Sequence, residues 1–188
     1  MRAKRLAIIV FALTTLSLGL YTLNPSGTAS LDFRGRVFGI VPFHIPSTSM
    51  EPTINPGDYI LVSTYAYKNH PIETKDVIVF QYPKDPSREY VKRVIGLAGD
   101  TVLILNDIVH INGNPIEEPY IQNKDQTKTK PSTRKLEWRV PDGHVFVLGD
   151  NRHNSSDSRN WGAVSQGAIV GQVAYIINAR TRTIRSDE

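Results

Sequence analysis

The chain has 188 residues, of which 40% are hydrophobic and 21% are charged, a composition that is typical of globular proteins and excludes a disordered one. The net charge is only +4, without a long basic run, so nucleic acid is not an expected partner. The absence of cysteine excludes a disulfide scaffold, a zinc–thiolate site and a cysteine nucleophile, although it does not identify the compartment.

The N-terminus has the pattern of a membrane-spanning helix. Residues 1–5 are basic, and residues 6–23 follow without a charged residue. This length is about the lower limit for crossing a hydrocarbon core about 30 Å thick, and the basic flank is expected to stay cytoplasmic. A cleaved signal peptide is the alternative, but the uncharged run exceeds the ~7–15 residues of its apolar region. We predict a single-pass anchor in the inner (plasma) membrane, with the remainder of the chain on the periplasmic or extracytoplasmic side.

The segment after the anchor is harder to interpret. Residues 24–36 are predicted to be a linker, because Asn24–Ser30 is rich in the turn residues that end a helix. Residues 31–45 are expected to enter the domain in an irregular extended form. Their centre, residues 37–43, is strongly apolar, and the sequence leaves open whether it is a core strand or a surface against the membrane.

From residue 58 onward, short segments rich in β-branched and aromatic residues alternate with turn residues, and no 11-residue window keeps a helical period. Asn106-Asp107 and Asn112-Gly113 lie where hairpin turns are expected. The predicted strands are Tyr59–Ser63, Val77–Tyr82, Tyr90–Leu97, Thr101–Leu105, Ile108–Ile111, Leu136–Val140, Val145–Leu148 and Ile169–Ile177.

The predicted fold is therefore mainly β, with antiparallel sheets or a partly open barrel that follows one transmembrane helix. The β domain is expected to occupy residues 37–180, with a smaller β excursion at about 101–140. Residues 119–135 are polar and basic and are predicted to form a long loop. Residues 181–188 are expected to be a solvated tail.

The stretch Pro46–Thr53 places two serines between two prolines. Proline fixes its own φ and pushes the preceding residue towards extended backbone, which keeps Ile45 and Glu51 out of the helical region. A serine hydroxyl on such a stiff segment can be held in one direction towards a substrate. Most segments of this composition, however, are ordinary surface loops. Residues 54–62 continue as a turn followed at once by an apolar strand.

A serine nucleophile needs a base, either a histidine or a lysine of lowered pKa. Five histidines are present, at His44, His70, His110, His144 and His153, and nothing in the sequence singles one out. Lys92 interrupts an apolar strand, with Tyr90 and Val94 on its own face. Lost hydration there lowers the pKa of a lysine, whereas Arg93 on the other face does not deprotonate. From the strand pattern alone, it is more common for such a lysine to lie at a strand edge and extend its amine into water than to be a buried base.

Residues 149–162, Gly-Asp-Asn-Arg-His-Asn-Ser-Ser-Asp-Ser-Arg-Asn-Trp-Gly, follow another apolar strand. The segment is dense in hydrogen-bonding groups, and Asp157 and Arg159 can pair across a turn. By itself it indicates a structural polar network or a cation site. A metal is not expected, because arginines are interspersed among few carboxylates.

In this order, the three segments resemble the sequence boxes of type I signal (leader) peptidases. Residues 47–58 match Ser-x-Ser-Met-x-Pro-Thr followed by Gly-Asp, and residues 149–159 match Gly-Asp-Asn-Arg-x-Asn-Ser-x-Asp-Ser-Arg. Residues 92–100 match Lys-Arg-Val-x-Gly-x-Pro-Gly-Asp, except that Ala98 replaces the proline. The resemblance implies a Ser/Lys dyad with Ser49 as nucleophile and Lys92 as general base.

The same resemblance implies the roles of further residues. The oxyanion donors would be the Ser47 hydroxyl and the Ser49 backbone N–H, and Ser155 would orient the Lys92 amine. Supporting residues that hold the site together are Asp150, Asp157 and Arg159.

The implied function is that of a membrane-bound serine endopeptidase that removes signal peptides from exported preproteins. An extended substrate would add a strand to the sheet, so that the first and third residues before the cut point into shallow pockets, which is an Ala-x-Ala preference. The expected partners are preproteins and the lipid bilayer. No cofactor, metal or obligate protein partner is implied.

Two alternatives remain at this point. One is a specialised maturation peptidase of the pilin or conjugation type; the self-cleaving repressors of the SOS response share the dyad but lack such an anchor. The other is a catalytically silent, membrane-tethered binding module. Loss of the serine or the lysine would have favoured the second alternative, and both residues are present.

Overall fold

The computed structural model describes residues 2–121, 136–179, 181 and 183–186. Most of the predicted loop 119–135 therefore lies outside the described residues. The helices are α1 (Arg2–Leu23), α2 (Phe33–Phe38), α3 (Ala66–Asn69) and α4 (Ser158–Trp161), with one 3-10 turn, Gln166–Ala168. The strands are β1 (Ile40–His44), β2 (Tyr59–Ser63), β3 (Val77–Tyr82), β4 (Asp85–Gly96), β5 (Thr101–Leu105), β6 (Ile108–Ile111), β7 (Asn114–Pro115), β8 (Leu136–Arg139), β9 (His144–Leu148), β10 (Val164–Ser165), β11 (Ile169–Ile177) and β12 (Ile184–Ser186).

Two antiparallel sheets make up the β domain. The larger has the order β1-β2-β11-β3-β4-β9-β10, with β12 added beside β11, and it is not closed into a barrel. The smaller has the order β7-β6-β5-β8 and comes from residues 101–139. Its hairpin turns use Asn106-Asp107 and Asn112-Gly113, all four with positive φ, as two-residue hairpins require. The mainly β, antiparallel prediction is confirmed.

The core consists of three groups of buried side chains on these sheets. One group lies under β1, β2, β3 and β11 and includes Met50 and Ile54 from the serine segment. A second lies on the other face, around Phe80 and Val147. The third, around Phe146, joins the large sheet to the small one. The serine segment is therefore held by the main core.

The N-terminal helix α1 includes one stretch, Ala3–Leu23, that is long and apolar enough to cross a membrane, and the rest of the protein buries none of its apolar window. The segment predicted as a linker packs on the large sheet: Thr28 is buried, and its hydroxyl donates to the Val170 carbonyl at 2.6 Å. These residues therefore fix how the anchor leaves the β domain.

The irregular extended form expected for residues 31–45 is wrong in two places. Helix α2 is capped by Asp32, whose side chain accepts a hydrogen bond from the Arg34 N–H, and Gly39 is its C-terminal cap, with φ 77°. Six residues are too few to display a helical period in the sequence. Strand β1 pairs with β2 at the edge of the sheet, where a proline such as Pro42 is tolerated.

Residues 184–186, expected to be part of a solvated tail, form β12 on β11, although their side chains are exposed. Three short strands were not predicted from the sequence, namely β7, β10 and β12, while β1 was left open as one of two possibilities for residues 37–43. Two- and three-residue strands carry too little alternation to be recognised, because their pairing depends on a distant neighbour.

Candidate active site

The Ser49 turn is fixed at both ends by the sheet and from below by the core. The Ile45 N–H donates to the Asp58 carbonyl at 2.9 Å, and the Gly57 N–H donates to the Ile45 carbonyl at 2.7 Å. Met50 and Ile54 are fully buried. Met50 is therefore a packing residue, and it holds the turn on the core.

Lys92 lies in the middle of β4, opposite Ile78 of β3, and only 3% of it is exposed. Its Nζ donates to Ser49 Oγ at 2.8 Å and to the Val91 carbonyl at 2.7 Å. The structure thus brings together the two residues that the sequence pattern selected 43 positions apart. No histidine is needed to give the serine a neighbouring base.

Burial determines the protonation of Lys92. Desolvation lowers the pKa of Lys92 from its ordinary 10.5 to about 8, against the opposing attraction of the Asp157 and Asp150 carboxylates. The Tyr90 ring lies beside the amine, with its centroid 5.5 Å from Nζ. A large fraction of this lysine is consequently neutral at mildly alkaline pH, which is the state that a general base needs.

Ser47 and Ser49 present their hydroxyls to the same place, with 3.3 Å between the two Oγ atoms. The carbonyls of the turn point away from it: the Ser49 carbonyl accepts from the Asn151 N–H at 3.1 Å, and the Thr48 carbonyl accepts from Asn151 Nδ2 at 3.1 Å. The Ser47 hydroxyl is therefore available to a charge that develops beside Ser49 Oγ.

Arg93, on the opposite face of β4 from Lys92, joins the three segments of the site. Its guanidinium donates two hydrogen bonds to Asp150, at 2.9 and 2.8 Å, and both side chains are buried. The Thr53 hydroxyl, from the serine turn, donates to the same carboxylate. A bidentate arginine–carboxylate pair fixes direction as well as distance, so Asp150 positions the strand that carries Lys92 against the turn that carries Ser49.

Asp157 and Arg159 form the predicted pair, with 2.8 Å between Arg159 Nε and Asp157 Oδ1. Asp157 also caps α4 and accepts from the Gly149 N–H at 3.1 Å. A Cβ at position 149 would lie 2.5 Å from the Ser49 carbonyl oxygen. Glycine is therefore required where the third segment touches the Ser49 turn.

Ser155 is the one predicted site residue whose contacts differ from the implied role. Its Oγ is buried and has no hydrogen-bond partner among the described residues, and Lys92 Nζ donates elsewhere. The hydroxyl lies against Gly149, where an added Cβ would be 2.2 Å from it. Orientation of the Lys92 amine by Ser155 stays a prediction.

Sequence reasoning missed a second buried ion pair beside the site. Glu118 forms a salt bridge with Arg152, and its carboxylate also accepts a hydrogen bond from the Tyr120 hydroxyl at 2.8 Å. The centroid of the Tyr120 ring lies 4.1 Å from the Arg93 guanidinium carbon. Burial and the neighbouring Glu118 raise the pKa of Tyr120. Glu118 immediately precedes the segment 119–135 that was expected to be a loop, and Tyr120 lies at its start, so only the tertiary fold brings them to the site.

An open groove leads to the Ser49–Lys92 pair. Its walls come from the end of β1, the serine turn, Val79 of β3, and the outer half of β4, and they include Phe43, His44, Ile45 and Tyr90. Within the described residues, no group of three or more His, Cys, Asp or Glu side chains is arranged to hold a metal. The groups at the end of the groove are thus a hydroxyl, an amine of lowered pKa and a second hydroxyl.

Comparisons with known proteins match the same region. The family described as "Signal peptidase, peptidase S26" matches residues 21–178. The chain is 42% identical over 147 residues to the probable signal peptidase I-1 of Synechocystis sp., covering 74% of this chain and 72% of that protein. It is 39% identical over 150 residues to signal peptidase I of Bacillus caldolyticus, covering 74% and 80%.

For signal peptidase I of Pseudomonas aeruginosa the identity is 36% over 161 residues, and the match spans 67% of this chain but only 57% of that protein. Among solved structures, a signal peptidase I from Enterococcus faecalis superposes with a TM-score of 0.50 at 32% identity, over 55% of this chain and 97% of that chain.

Proposed function

The chain belongs to the signal peptidase family, peptidase S26, and from that premise we propose that Ser49 and Lys92 are the residues that cut the peptide bond. The relatives in this family are signal peptidases, and the chain is accordingly a serine peptidase that removes signal peptides from preproteins. The observation that supports the assignment of the pair is the 2.8 Å contact between Lys92 Nζ and Ser49 Oγ in a buried, apolar setting.

The reaction follows from that contact. A neutral Lys92 amine accepts the Ser49 proton while Oγ attacks the carbonyl carbon of the scissile bond. The developing oxyanion is stabilised by the Ser49 backbone N–H and the Ser47 hydroxyl. The Lys92 ammonium then returns the proton to the departing amine, which leaves an acyl ester on Ser49. A water molecule, deprotonated by the same amine, hydrolyses this ester and restores both residues.

The groove suits an extended peptide. Residues 85–92 of β4 pair only with β3 among the described residues, and β9 joins β4 from Arg93 onward. The outer edge of β4 next to Lys92 is therefore open to an added strand. Alternate residues of such a strand face one wall, so the first and third residues before the cut share the apolar side of the groove. This supports the Ala-x-Ala preference.

The specificity is tested with a preprotein whose cut follows Ala-x-Ala, incubated with detergent-solubilised enzyme. Replacing the first or third Ala before the cut with Phe is expected to lower the cleavage rate by at least about 100-fold, because one bulky side chain overfills a shallow pocket. The same change at the middle position is the matched control and is expected to cost less than about threefold. Equal losses at all three positions would contradict an alternating strand, and rapid cleavage of only one preprotein would favour a dedicated enzyme.

The pH dependence of cleavage is expected to follow the titration of Lys92. Because the base works only when neutral, kcat/KM is expected to be maximal above the lysine pKa of about 8 and to fall about tenfold per pH unit below it. The measurement is the rate of cleavage of a short peptide, without groups that titrate in this range, at a concentration well below KM between pH 6 and 10. An inflection near 10.5, the ordinary value for lysine, would contradict a buried base.

The apolar helix and the family together indicate a membrane-anchored enzyme. The orientation follows from the basic residues 1–5 before α1, which are retained on the cytoplasmic side. The catalytic domain would then lie on the extracytoplasmic side of the plasma membrane, where exported preproteins emerge. The second alternative, a catalytically silent binding module, is disfavoured by the contact between Lys92 and Ser49.

A further inference from the structure

The chain leaves the small sheet through a turn that ends beside the active site. Ile116, the residue after β7, packs on the third core group. The Ile121 N–H donates to the Glu118 carbonyl at 3.2 Å, which closes a turn from Glu118 to Ile121. Pro119 is the second residue of this turn, a position that its fixed φ favours. We call these four residues the 118–121 turn.

The 118–121 turn brings two polar side chains together and buries one of them. The Tyr120 hydroxyl donates to the Glu118 carboxylate at 2.8 Å, and only 7% of Glu118 is exposed. Burial and this neighbouring carboxylate raise the pKa of Tyr120, so its hydroxyl stays protonated and remains a donor. Each of the two side chains also contacts an arginine of the active site.

Glu118 contacts the segment that supports Ser49. Its carboxylate accepts from Arg152 Nη1 at 3.0 Å and also from the second terminal nitrogen of the same guanidinium. Arg152 Nε donates to the Gly149 carbonyl at 3.1 Å, and Gly149 lies directly against the Ser49 carbonyl. Because a bidentate pair fixes direction as well as distance, Glu118 determines where the backbone beneath the Ser49 turn lies.

Tyr120 contacts the strand that carries Lys92. The centroid of its ring lies 4.1 Å from the guanidinium carbon of Arg93, the residue next to Lys92, and only 6% of Arg93 is exposed. An aromatic face over a guanidinium attracts the cation and keeps water away from it. Water would compete for the donors that Arg93 directs at Asp150, so the ring keeps this ion pair in one geometry.

We propose that Glu118 and Tyr120 are positioning residues, which hold Ser49 and Lys92 at the distance that proton transfer requires. The proposal rests on the Ser49–Lys92 assignment made above. Neither Glu118 nor Tyr120 lines the groove, so both act through the arginines that they contact and leave substrate binding unchanged. The turn that leaves the small sheet therefore completes the catalytic site, and the small sheet is needed for the rate of the reaction.

Two substitutions separate the ring of Tyr120 from its hydroxyl. Tyr120→Leu removes the ring from Arg93 and is expected to lower kcat for preprotein cleavage at least about tenfold, with KM changed less than about twofold, because a small displacement of reacting groups slows the chemical step alone. Tyr120→Phe keeps the ring and is expected to retain at least about half of the wild-type kcat. Ile116→Ala, which removes core packing from the same segment, is the matched control and is expected to keep the wild-type kcat.

The carboxylate of Glu118 is tested by Glu118→Gln. Glutamine has the same shape but offers Arg152 one acceptor oxygen and no charge, so kcat is expected to fall about tenfold while KM stays nearly unchanged. Glu117→Gln, at the exposed neighbouring position, removes the same charge from the same segment and is expected to keep the wild-type kcat. An equal loss in Glu117→Gln would overturn the specific role of Glu118.

A combined variant distinguishes positioning from a general loss of structure. In the Arg93→Met/Asp150→Leu background the ring has no ion pair to hold, so Tyr120→Leu is expected to lower the single-turnover rate less than about twofold. The proposal is overturned if the tenfold loss persists in that background, if Tyr120→Phe loses as much as Tyr120→Leu, or if only KM changes. Ser49→Ala, measured beside these variants, tests the catalytic pair separately, because its activity does not depend on the outcome for the 118–121 turn.

Discussion

Lys92→Met is expected to reduce kcat/KM for preprotein cleavage by at least about 10⁴-fold. Methionine keeps the length and apolar stem of the side chain but has no lone pair of sufficient basicity to remove the Ser49 proton across the 2.8 Å contact. Ser49→Ala is expected to cause a loss of the same size. The double variant should be no worse than either single one, because the two residues act as a unit. The measurement is cleavage of an Ala-x-Ala preprotein by purified enzymes in detergent.

The controls exclude loss of the fold as the cause. Lys84→Met removes an exposed lysine of a turn and is expected to keep wild-type activity. Lys92→Met itself is expected to be more stable than wild type at pH 7. The folded state lowers the pKa of Lys92 to about 8, below the ordinary 10.5, so the unfolded state binds more protons between these values. Wild type is therefore destabilised by about 3 kcal/mol below pH 8, and this penalty disappears as the pH rises to 10.5.

An active, folded Lys92→Met enzyme would require a different base. His44 is then the first residue to replace, because it lies on the groove wall and packs on Tyr59, with 5.0 Å between the ring centroids. Loss of activity in His44→Asn, together with retention in Lys92→Met, would overturn the dyad. Loss in Lys92→Met with retention in His44→Asn is the expected pattern.

The sequence predicted those parts of the fold that local chemistry determines. Strands such as Tyr59–Ser63 and Val77–Tyr82 have the bounds that were predicted, because β-branched residues between turn residues define them without outside help. Alternation along β4 likewise predicted that the Lys92 side chain lies on the same face of the strand as Tyr90 and Val94. Its burial, and hence its lowered pKa, follows from the serine turn and the aromatic ring of Tyr90 that cover that face.

What the sequence could not give is the pairing of residues far apart in the chain. Nothing near Glu118 indicates that it meets Arg152, and nothing near Thr53 indicates that it shares the Asp150 carboxylate with Arg93. Which of residues 37–43 belong to the core also depends on distant neighbours. Val41 is buried as part of β1, while Ile40 remains exposed beside α2, so one short segment includes both a core residue and a surface residue.

Asp150→Ala is expected to lower the free energy of unfolding of the β domain by about 3–5 kcal/mol, because it leaves the buried Arg93 guanidinium without its carboxylate. The Thr53 hydroxyl loses the same acceptor, so the serine turn is loosened against β4 and cleavage is expected to fall with stability. The measurement is guanidinium unfolding in detergent, followed by the fluorescence of Trp138 and Trp161. Asp142→Ala, an exposed turn aspartate, is the matched control and is expected to change stability by less than about 0.5 kcal/mol.

The double variant Arg93→Met/Asp150→Leu distinguishes a broken ion pair from a general defect of packing. Removing both charges eliminates the buried guanidinium that has lost the Asp150 carboxylate, so at least half of the lost stability is expected to return. Activity is not expected to return with it, because apolar side chains at 93 and 150 cannot hold the Thr53 hydroxyl and thus the nucleophile turn in one direction. Recovery of stability together with full activity would show that the pair stabilises the domain without positioning Ser49. A cost below about 1 kcal/mol for Asp150→Ala alone would show that the pair is not essential even to the fold.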